Sequence, residues 1–286
     1  MALINSAVLS AVQSAAIRVD GVLRLGLARR FGGSVGAFSL RDIGDGGYVV
    51  EVRRSGDDAD KNFTAGEVTN GALAAWVTAG GGDKDGFVKT WYDQSGNDKH
   101  ISQGTAGNQP QIVDNGAVLL ENSKPCIKFE TSAKYLDTSS SVTISSQAQF
   151  YVCNVTNTSQ GRSLSGRKSA NTDFYRFTTT DSESYKANSQ GTTFGTIAEG
   201  EQLIVSVDRN ASNQTKMFED NTQSGVTRTN ITGNYVLERV GARNGGADPF
   251  TGTIQEIILY GSGEEVISFD YVTHQRQTVS RSHPFE

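Results

Sequence analysis

The sequence predicts an all-β sandwich with a short N-terminal helical leader, and two observations carry this prediction. Glycine is frequent and proline is scarce, with 32 and 4 among 286 residues, which is typical of short strands joined by tight turns. Runs of β-branched and aromatic residues recur from Ala37 onward, and turn clusters separate them at the spacing of sandwich strands. The length fits a single large domain.

The leader, residues 1–33, begins with a helical pattern. Ile4, Val8 and Val12 recur at helical spacing, and alanines fill the rest of one narrow face. A helix of this length is marginal alone in water, so we expect it to pack on a neighbouring surface. Asp20-Gly21 then marks a turn, and a short alternating run follows it.

The charge of the chain is divided unequally between the leader and the body. Four arginines against Asp20 give the leader +3 within a total of −5, so the remainder carries −8. An acidic body argues against nucleic acid as the partner of the whole chain. We interpret the leader as a docking segment for a larger assembly. The predicted docking residues are Ile4, Val8, Val12, Arg18, Arg24, Arg29 and Arg30.

The body, predicted to span residues 34–265, contains the strand signals. The clearest predicted strands are 48–53, 87–92, 111–113, 150–152, 174–177, 203–207 and 253–260. One helix is expected at residues 69–78, where Leu73, Ala74 and Val77 share a face. Residues 266–286 are expected to form a C-terminal tail or a short helix.

Several classes of protein are excluded by missing signals. No apolar run reaches the length of a membrane span, and the leader lacks the pattern of a signal peptide. Cys126 and Cys153 lie in strand-like runs, so we expect buried thiols and no disulfide. The three histidines are too dispersed for a zinc site, and no phosphate-binding loop is present, so neither a metal nor a cofactor is expected.

The motif WYDQSGND at residues 91–98 stands out because two large aromatics end a strand before a loop of carboxylates and amides. Aromatic rings that stack on sugars, with polar groups that fix hydroxyls, would suit a saccharide site. A second interpretation is equally physical: the loop satisfies its own turn, and at most one of the two aromatics faces a ligand because neighbours on a strand point to opposite faces. The candidate ligand-binding residues are Trp91, Tyr92, Asp93, Asn97 and Asp208.

An ordered series of segments also resembles a known family. AFSLR at 37–41, VEVRRSGDDA at 50–59, TWYDQSGND at 90–98 and NQPQIV at 108–113 are similar to the catalytic module of fungal-type α-L-arabinofuranosidase B and its relatives in phage structural proteins. FTGTIQEIILY at 250–260 resembles the closing strand of concanavalin-A-like domains. The resemblance implies a concanavalin-like β-sandwich jelly roll.

The resemblance does not imply activity. A retaining glycosidase needs two carboxyl groups about 5–5.5 Å apart. In the family the nucleophile is a glutamate just beyond a strand; the nearest counterpart here is Asp208, which is one methylene shorter, and only Asp248 is a positional candidate for the acid. We therefore expect no catalytic residues and no enzyme.

The favoured function is a phage virion structural protein, either a tail fibre or appendage or a head decoration, that displays a lectin-like sandwich for adhesion to host glycans. The alternatives are a free carbohydrate-binding module and an arabinofuranosidase-like glycoside hydrolase. The expected partners are other virion proteins through the leader, cell-surface polysaccharide and further copies of the chain, for example in a trimer. No nucleic acid or membrane partner is expected, and the expected location is the virion, assembled in the host cytoplasm.

Overall fold

The computed structural model describes residues 33–44, 46–130, 134–145, 147–156, 161–178, 182–220 and 222–261, together with two short strands at 17–19 and 22–24. Within these residues the chain is almost entirely β. The strands are β1 (Ile17–Val19), β2 (Val22–Arg24), β3 (Ser34–Ser39), β4 (Tyr48–Arg54), β5 (Asp60–Thr64), β6 (Gly86–Trp91), β7 (Ile101–Ser102), β8 (Gln111–Asp114), β9 (Ala117–Val118), β10 (Leu120–Glu121), β11 (Lys124–Pro125), β12 (Ile127–Phe129), β13 (Leu136–Ile144), β14 (Gln147–Val155), β15 (Arg162–Gly166), β16 (Phe174–Phe177), β17 (Ser182–Ala187), β18 (Gln190–Thr196), β19 (Gln202–Arg209), β20 (Thr215–Glu219), β21 (Thr222–Arg228), β22 (Tyr235–Val240) and β23 (Gly252–Tyr260).

Two helices interrupt the strands between β5 and β6: α1 (Ala65–Thr69) and α2 (Ala72–Ala79). Thr64 begins α1 with a capping box, because its hydroxyl accepts from the backbone of Glu67 while the Glu67 carboxylate accepts from the backbone of Thr64. Leu73 and Val77 are the buried residues of α2, which confirms the helix predicted from their spacing.

The strands form the two layers of a jelly-roll β-sandwich, which confirms the predicted fold class. The first layer runs β3–β23–β14–β19–β20–β21, and all of its neighbouring strands are antiparallel. The second layer runs β5–β4–β6–β7–β13–β22–β15–β16–β17–β18 and is also antiparallel. β12 pairs with β23 of the first layer and with β8, which in turn pairs with β6 of the second.

Alternation along β14 shows how the layers pack. Tyr151 and Cys153 belong to the main core, whereas Phe150 and Val152 belong to a second apolar cluster on the outer face of the same layer. This is the period of two that a strand buried on both faces requires. Between the layers, the Tyr151 hydroxyl lies 2.6 Å from the Ser165 hydroxyl, which joins β14 to β15.

The leader is described only in part. β1 and β2 pair antiparallel, and the predicted Asp20-Gly21 turn between them lies outside the described residues. Arg18 and Arg24 therefore lie in strands, while Ile4, Val8, Val12, Arg29 and Arg30 lie outside the described residues. The predicted C-terminal helix or tail, residues 266–286, also lies outside them.

Two further predictions from the sequence can be compared with the fold. Cys126 and Cys153 are free and buried, as predicted, and burial raises the pKa of the Cys126 thiol to about 12. No helix in the described part of the chain is long and apolar enough to cross a membrane.

Candidate functional site

Trp91, the central residue of the predicted saccharide site, lies in the core. Its side chain is 0% exposed, and its ring packs at 6.0 Å from that of Phe38. The indole N–H has no hydrogen-bond partner within the described residues, but the complete burial of the ring keeps a ligand from reaching it. The expectation that Trp91 stacks on a sugar is therefore corrected. The ring fills the sandwich interior, where burial of a large apolar side chain contributes most to stability.

Tyr92 points the other way, as the strand alternation requires. It is half-buried, and its hydroxyl donates a 2.8 Å hydrogen bond to Oδ1 of Asn62. Its ring meets that of His100 edge-on at 5.0 Å. Burial raises the pKa of the Tyr92 hydroxyl, so the side chain is a neutral phenol at physiological pH.

Asp93 organises the loop that follows β6. Its Oδ1 accepts hydrogen bonds from the backbone of Ala37 at 2.8 Å and of Ser95 at 2.9 Å. Its Oδ2 accepts from the backbone of Lys99 at 3.0 Å and from the Ser95 hydroxyl at 2.8 Å. Four hydrogen bonds occupy both oxygens of a carboxylate, which explains why a nearly buried charge is tolerated here.

The two amides of the loop hold it against β3. Asn97 donates to the backbone oxygen of Ser34 at 2.9 Å. Gln94 accepts from the backbone of Ile43 at 2.9 Å and donates to the backbone oxygen of Ser39 at 2.8 Å. The polar side chains of this loop therefore satisfy the fold itself, as the second interpretation of the motif predicts.

Asp208 lies far from this loop. It belongs to β19, opposite Ala148 of β14, and its side chain is buried. Asp93 bonds to β3, and three strand spacings separate β3 from β19, or about 14 Å. The structure thus brings Trp91, Tyr92, Asp93 and Asn97 together but leaves Asp208 apart.

Asp208 and Asp248, the two positional candidates for a glycosidase pair, are also separated. Ala148 pairs with both Asp208 and Tyr260, so Asp208 is level with the end of β23. Asp248 precedes the start of β23 at Gly252, and the strand between them is about 26 Å long. This is several times the spacing that a retaining pair requires.

The surroundings of Asp248 suit a carboxylate rather than a proton donor. Its Oδ2 accepts hydrogen bonds of 2.6 Å from both Arg176 and Arg243. Burial alone would raise its pKa, but the hydrogen bonds from Arg243 and Arg176 lower it below the ordinary value. Asp248 is therefore ionised at neutral pH.

A pocket of about 340 Å³ opens where β12, β14 and the start of β23 meet, and we call it the β23 pocket. Its volume lies at the lower end of the range of about 300–1,000 Å³ usual for small-molecule sites. Phe129 and Gly252 contribute apolar wall. The polar residues that line it are Glu121, Lys128, Glu130, Asn154, Thr156, Thr251 and Thr253.

Two polar atoms of this pocket have unused hydrogen-bonding capacity. Asn154 is 8% exposed and donates to Glu121 Oε1 at 3.2 Å, yet no donor within the described residues reaches its Oδ1. The hydroxyl of Thr251 is likewise buried without a partner in the part of the chain that the structure describes. Both atoms therefore keep hydrogen-bonding capacity that the fold does not use, beside the pocket that their residues line.

The pocket is held rigidly. Glu121 accepts from Asn154 and, at 3.2 Å, from the Thr253 hydroxyl, which fixes its carboxylate between β14 and β23. Gly252 has φ +141°, and a Cβ there would lie 1.9 Å from the backbone oxygen of Asn154. Only glycine fits this close approach, so the wall beside Asn154 is backbone.

No local sequence signal predicts this pocket, because its residues come from separate segments and none of these segments carries a recognisable motif. Chemically it offers acceptors and hydroxyls in a concave site, which suits a polyhydroxy ligand. Among the described residues, no group of three or more His, Cys, Asp or Glu is placed to hold a metal ion.

Comparisons with known proteins agree with the fold. A GH54 α-L-arabinofuranosidase soaked with a cyclic sulfate inhibitor is similar over 84% of this chain and 62% of its own, with a TM-score of 0.55 and 14% identity. An arabinofuranosidase complexed with arabinofuranosyl-α-1,2-xylobiose gives a TM-score of 0.53 at 14% identity, over 84% of this chain and 61% of its own. This chain thus matches less than two thirds of the length of these enzymes. No protein-family model and no curated protein sequence matches it.

Proposed function

We propose that this chain is a structural protein of a phage virion whose β-sandwich binds saccharide in the β23 pocket. The observation that carries the binding proposal is the β23 pocket itself, which has the size of a monosaccharide and is lined by Glu121, Asn154 and three threonines. Sugar hydroxyls both donate and accept, so they suit a lining of carboxylate, amide and hydroxyl side chains. The likeness of the fold to arabinofuranosidases supports the same ligand class.

The binding is tested with Thr251→Val, which removes the unpartnered hydroxyl and keeps the shape of the side chain. Thr215→Val is a matched control, because the Thr215 hydroxyl is also buried without a partner within the described residues but does not line the pocket. On a glycan array we expect wild type and Thr215→Val to bind alike. Thr251→Val should bind about tenfold more weakly, the effect of one lost hydrogen bond of ~1.4 kcal/mol.

Two outcomes would contradict the binding proposal. If the wild-type chain bound no glycan on the array, the binding proposal would be wrong. Equal binding by Thr251→Val and Thr215→Val would place the saccharide at some other surface.

The virion proposal rests on the resemblance to relatives in phage structural proteins and on the basic leader before an acidic body. Deleting residues 1–31 is expected to abolish incorporation into particles while the body stays folded and soluble. A variant in which Arg18, Arg24, Arg29 and Arg30 are all changed to Gln separates charge from length. Normal incorporation of the truncated chain would contradict docking through the leader.

The copy number of the chain per particle, relative to the major capsid protein, distinguishes the two forms of this proposal. A head decoration would be present in numbers comparable with the capsid protein, whereas a tail fibre or appendage would be present in a few copies. Quantitative mass spectrometry of purified particles measures this ratio. Absence of the chain from the particles would contradict both forms.

A glycoside hydrolase is the second candidate, favoured by the fold it shares with arabinofuranosidases. The distance between Asp208 and Asp248 opposes it. Release of 4-nitrophenol from an arabinofuranoside by the wild-type chain, lost on Asp208→Asn, would establish catalysis and overturn the binding-only proposal. We expect no release above the uncatalysed rate.

A further inference from the structure

The side chains that line the β23 pocket include more carboxylates than cations. Glu121 and Glu130 supply two carboxylates, and Lys128 supplies one ammonium. The ammonium lies 2.8 Å from Glu130, so the one lysine among the lining residues is already paired. Glu121 accepts only from the neutral groups of Asn154 and Thr253 among its hydrogen bonds, and Lys124, which lies opposite it in the β10–β11 hairpin, forms no ion pair with it.

The hydrogen-bonding side chains of the pocket are mostly acceptors. The unpartnered amide atom of Asn154 is an oxygen, which can only accept. The two oxygens of Glu121 each hold one donor and retain lone pairs for another. Of the lining side chains, the threonine hydroxyls can donate to a ligand without giving up an ion pair, whereas Lys128 cannot. The ligand must therefore supply most of the donors.

Resting on the proposed function, we infer that the β23 pocket selects neutral or amino sugars and rejects sugar acids. A hydroxyl donates to a free lone pair of Glu121, and an ammonium in its place adds attraction to this carboxylate, which has no ion-pair partner among the described residues. The carboxylate of a uronic or sialic acid would instead meet Glu121 and Glu130, with one lining lysine that is already paired. Like charges repel, and the repulsion is larger where a pocket partly excludes water.

The test compares three sugars that differ in a single group: galactose, galactosamine and galacturonate, with the matching glucose and mannose series. Binding to the full chain is measured by saturation-transfer NMR and calorimetry at low salt. We expect galactosamine to bind at least as well as galactose, and galacturonate to bind at least tenfold more weakly than galactose. The difference should shrink at high salt because the charges are screened.

Glu121→Gln tests the residue that carries the inference. The amide keeps the shape and an acceptor but removes the charge, so galacturonate should gain affinity several-fold and galactosamine should lose it. Glu51→Gln is the matched control: Glu51 also accepts from a threonine hydroxyl, that of Thr90 at 2.8 Å, but it does not line the pocket. The affinities of Glu51→Gln for the three sugars should equal those of the wild-type chain.

The possible failures are distinguishable. Tightest binding of the acid by the wild-type chain, or no change in selectivity with Glu121→Gln, would overturn the charge inference while leaving saccharide binding in place. No binding of any sugar in the three series would overturn the inference and the proposed function together.

Discussion

The loop after Trp91 and the β23 pocket lie at opposite ends of β23, and they use similar side chains in opposite ways. In the loop, Asp93 and Asn97 hydrogen bond to their own turn and to β3. In the pocket, Asn154 and Thr251 leave polar atoms without partners in the described part of the chain. The residue types alone would favour the loop as the binding site. Hydrogen-bonding capacity that the fold leaves unused therefore distinguishes the pocket from the loop.

The largest test of this comparison is Trp91→Ala. We expect it to lower the free energy of unfolding by about 3–5 kcal/mol, because it empties a fully buried site in the core. Trp76→Ala is the control, since Trp76 is only partly buried at the edge of the core and should cost less. Denaturant unfolding measures both. Reduced glycan binding by a fully stable Trp91→Ala would restore Trp91 as a ligand residue.

The next largest loss of stability is expected for Asp93→Asn. An amide cannot accept at both of its terminal atoms, so its NH₂ group would face a backbone N–H that now binds the carboxylate, and the variant should lose about 2 kcal/mol of unfolding free energy. Asp98→Asn is the control, because Asp98 is exposed with φ +53°, a conformation that asparagine tolerates. Equal stability of the two variants would mean that the loop does not depend on Asp93.

The smallest expected effect is the change in stability on replacing Thr251 in the pocket. Thr251→Val and Thr215→Val each remove a buried hydroxyl that bonds to nothing within the described residues, so both should leave stability unchanged or raise it by up to ~1 kcal/mol. Thermal unfolding without added sugar measures this. A clear destabilisation by Thr251→Val would show that its hydroxyl serves the fold, and would make the pocket resemble the loop.

Much of the fold could be predicted from the sequence because its signals are local. The hydrophobic runs predict β6, β14, β19 and β23, and the spacing of Leu73 and Val77 predicts α2. The opposite orientations of Trp91 and Tyr92 also follow from strand alternation alone. Strand alternation does not show which of the two side chains faces the interior, because that depends on where the second layer packs.

The candidate site could not be predicted for a related reason. Glu121, Asn154 and Thr251 are brought together by the pairing of β14 with β23 and by the β10–β11 hairpin beside them, which are contacts across more than thirty residues of sequence. No motif marks any of them. Asp208 resembles the nucleophile of the family only in following a hydrophobic run, and its register opposite Ala148 places it away from both regions.

The backbone wall at Gly252 also constrains how this protein can change over generations. Single substitutions at Glu130 or Thr251 can alter the charge and hydrogen bonding of the pocket without breaking the hydrogen bonds of Glu121 that hold it together. A side chain at Gly252 would collide with the backbone of Asn154, so only glycine is expected at this position. In a saturation mutagenesis library selected for folded protein, position 252 should retain glycine while positions 130 and 251 accept many residues, so the lining of the pocket can change but the pocket cannot easily be filled.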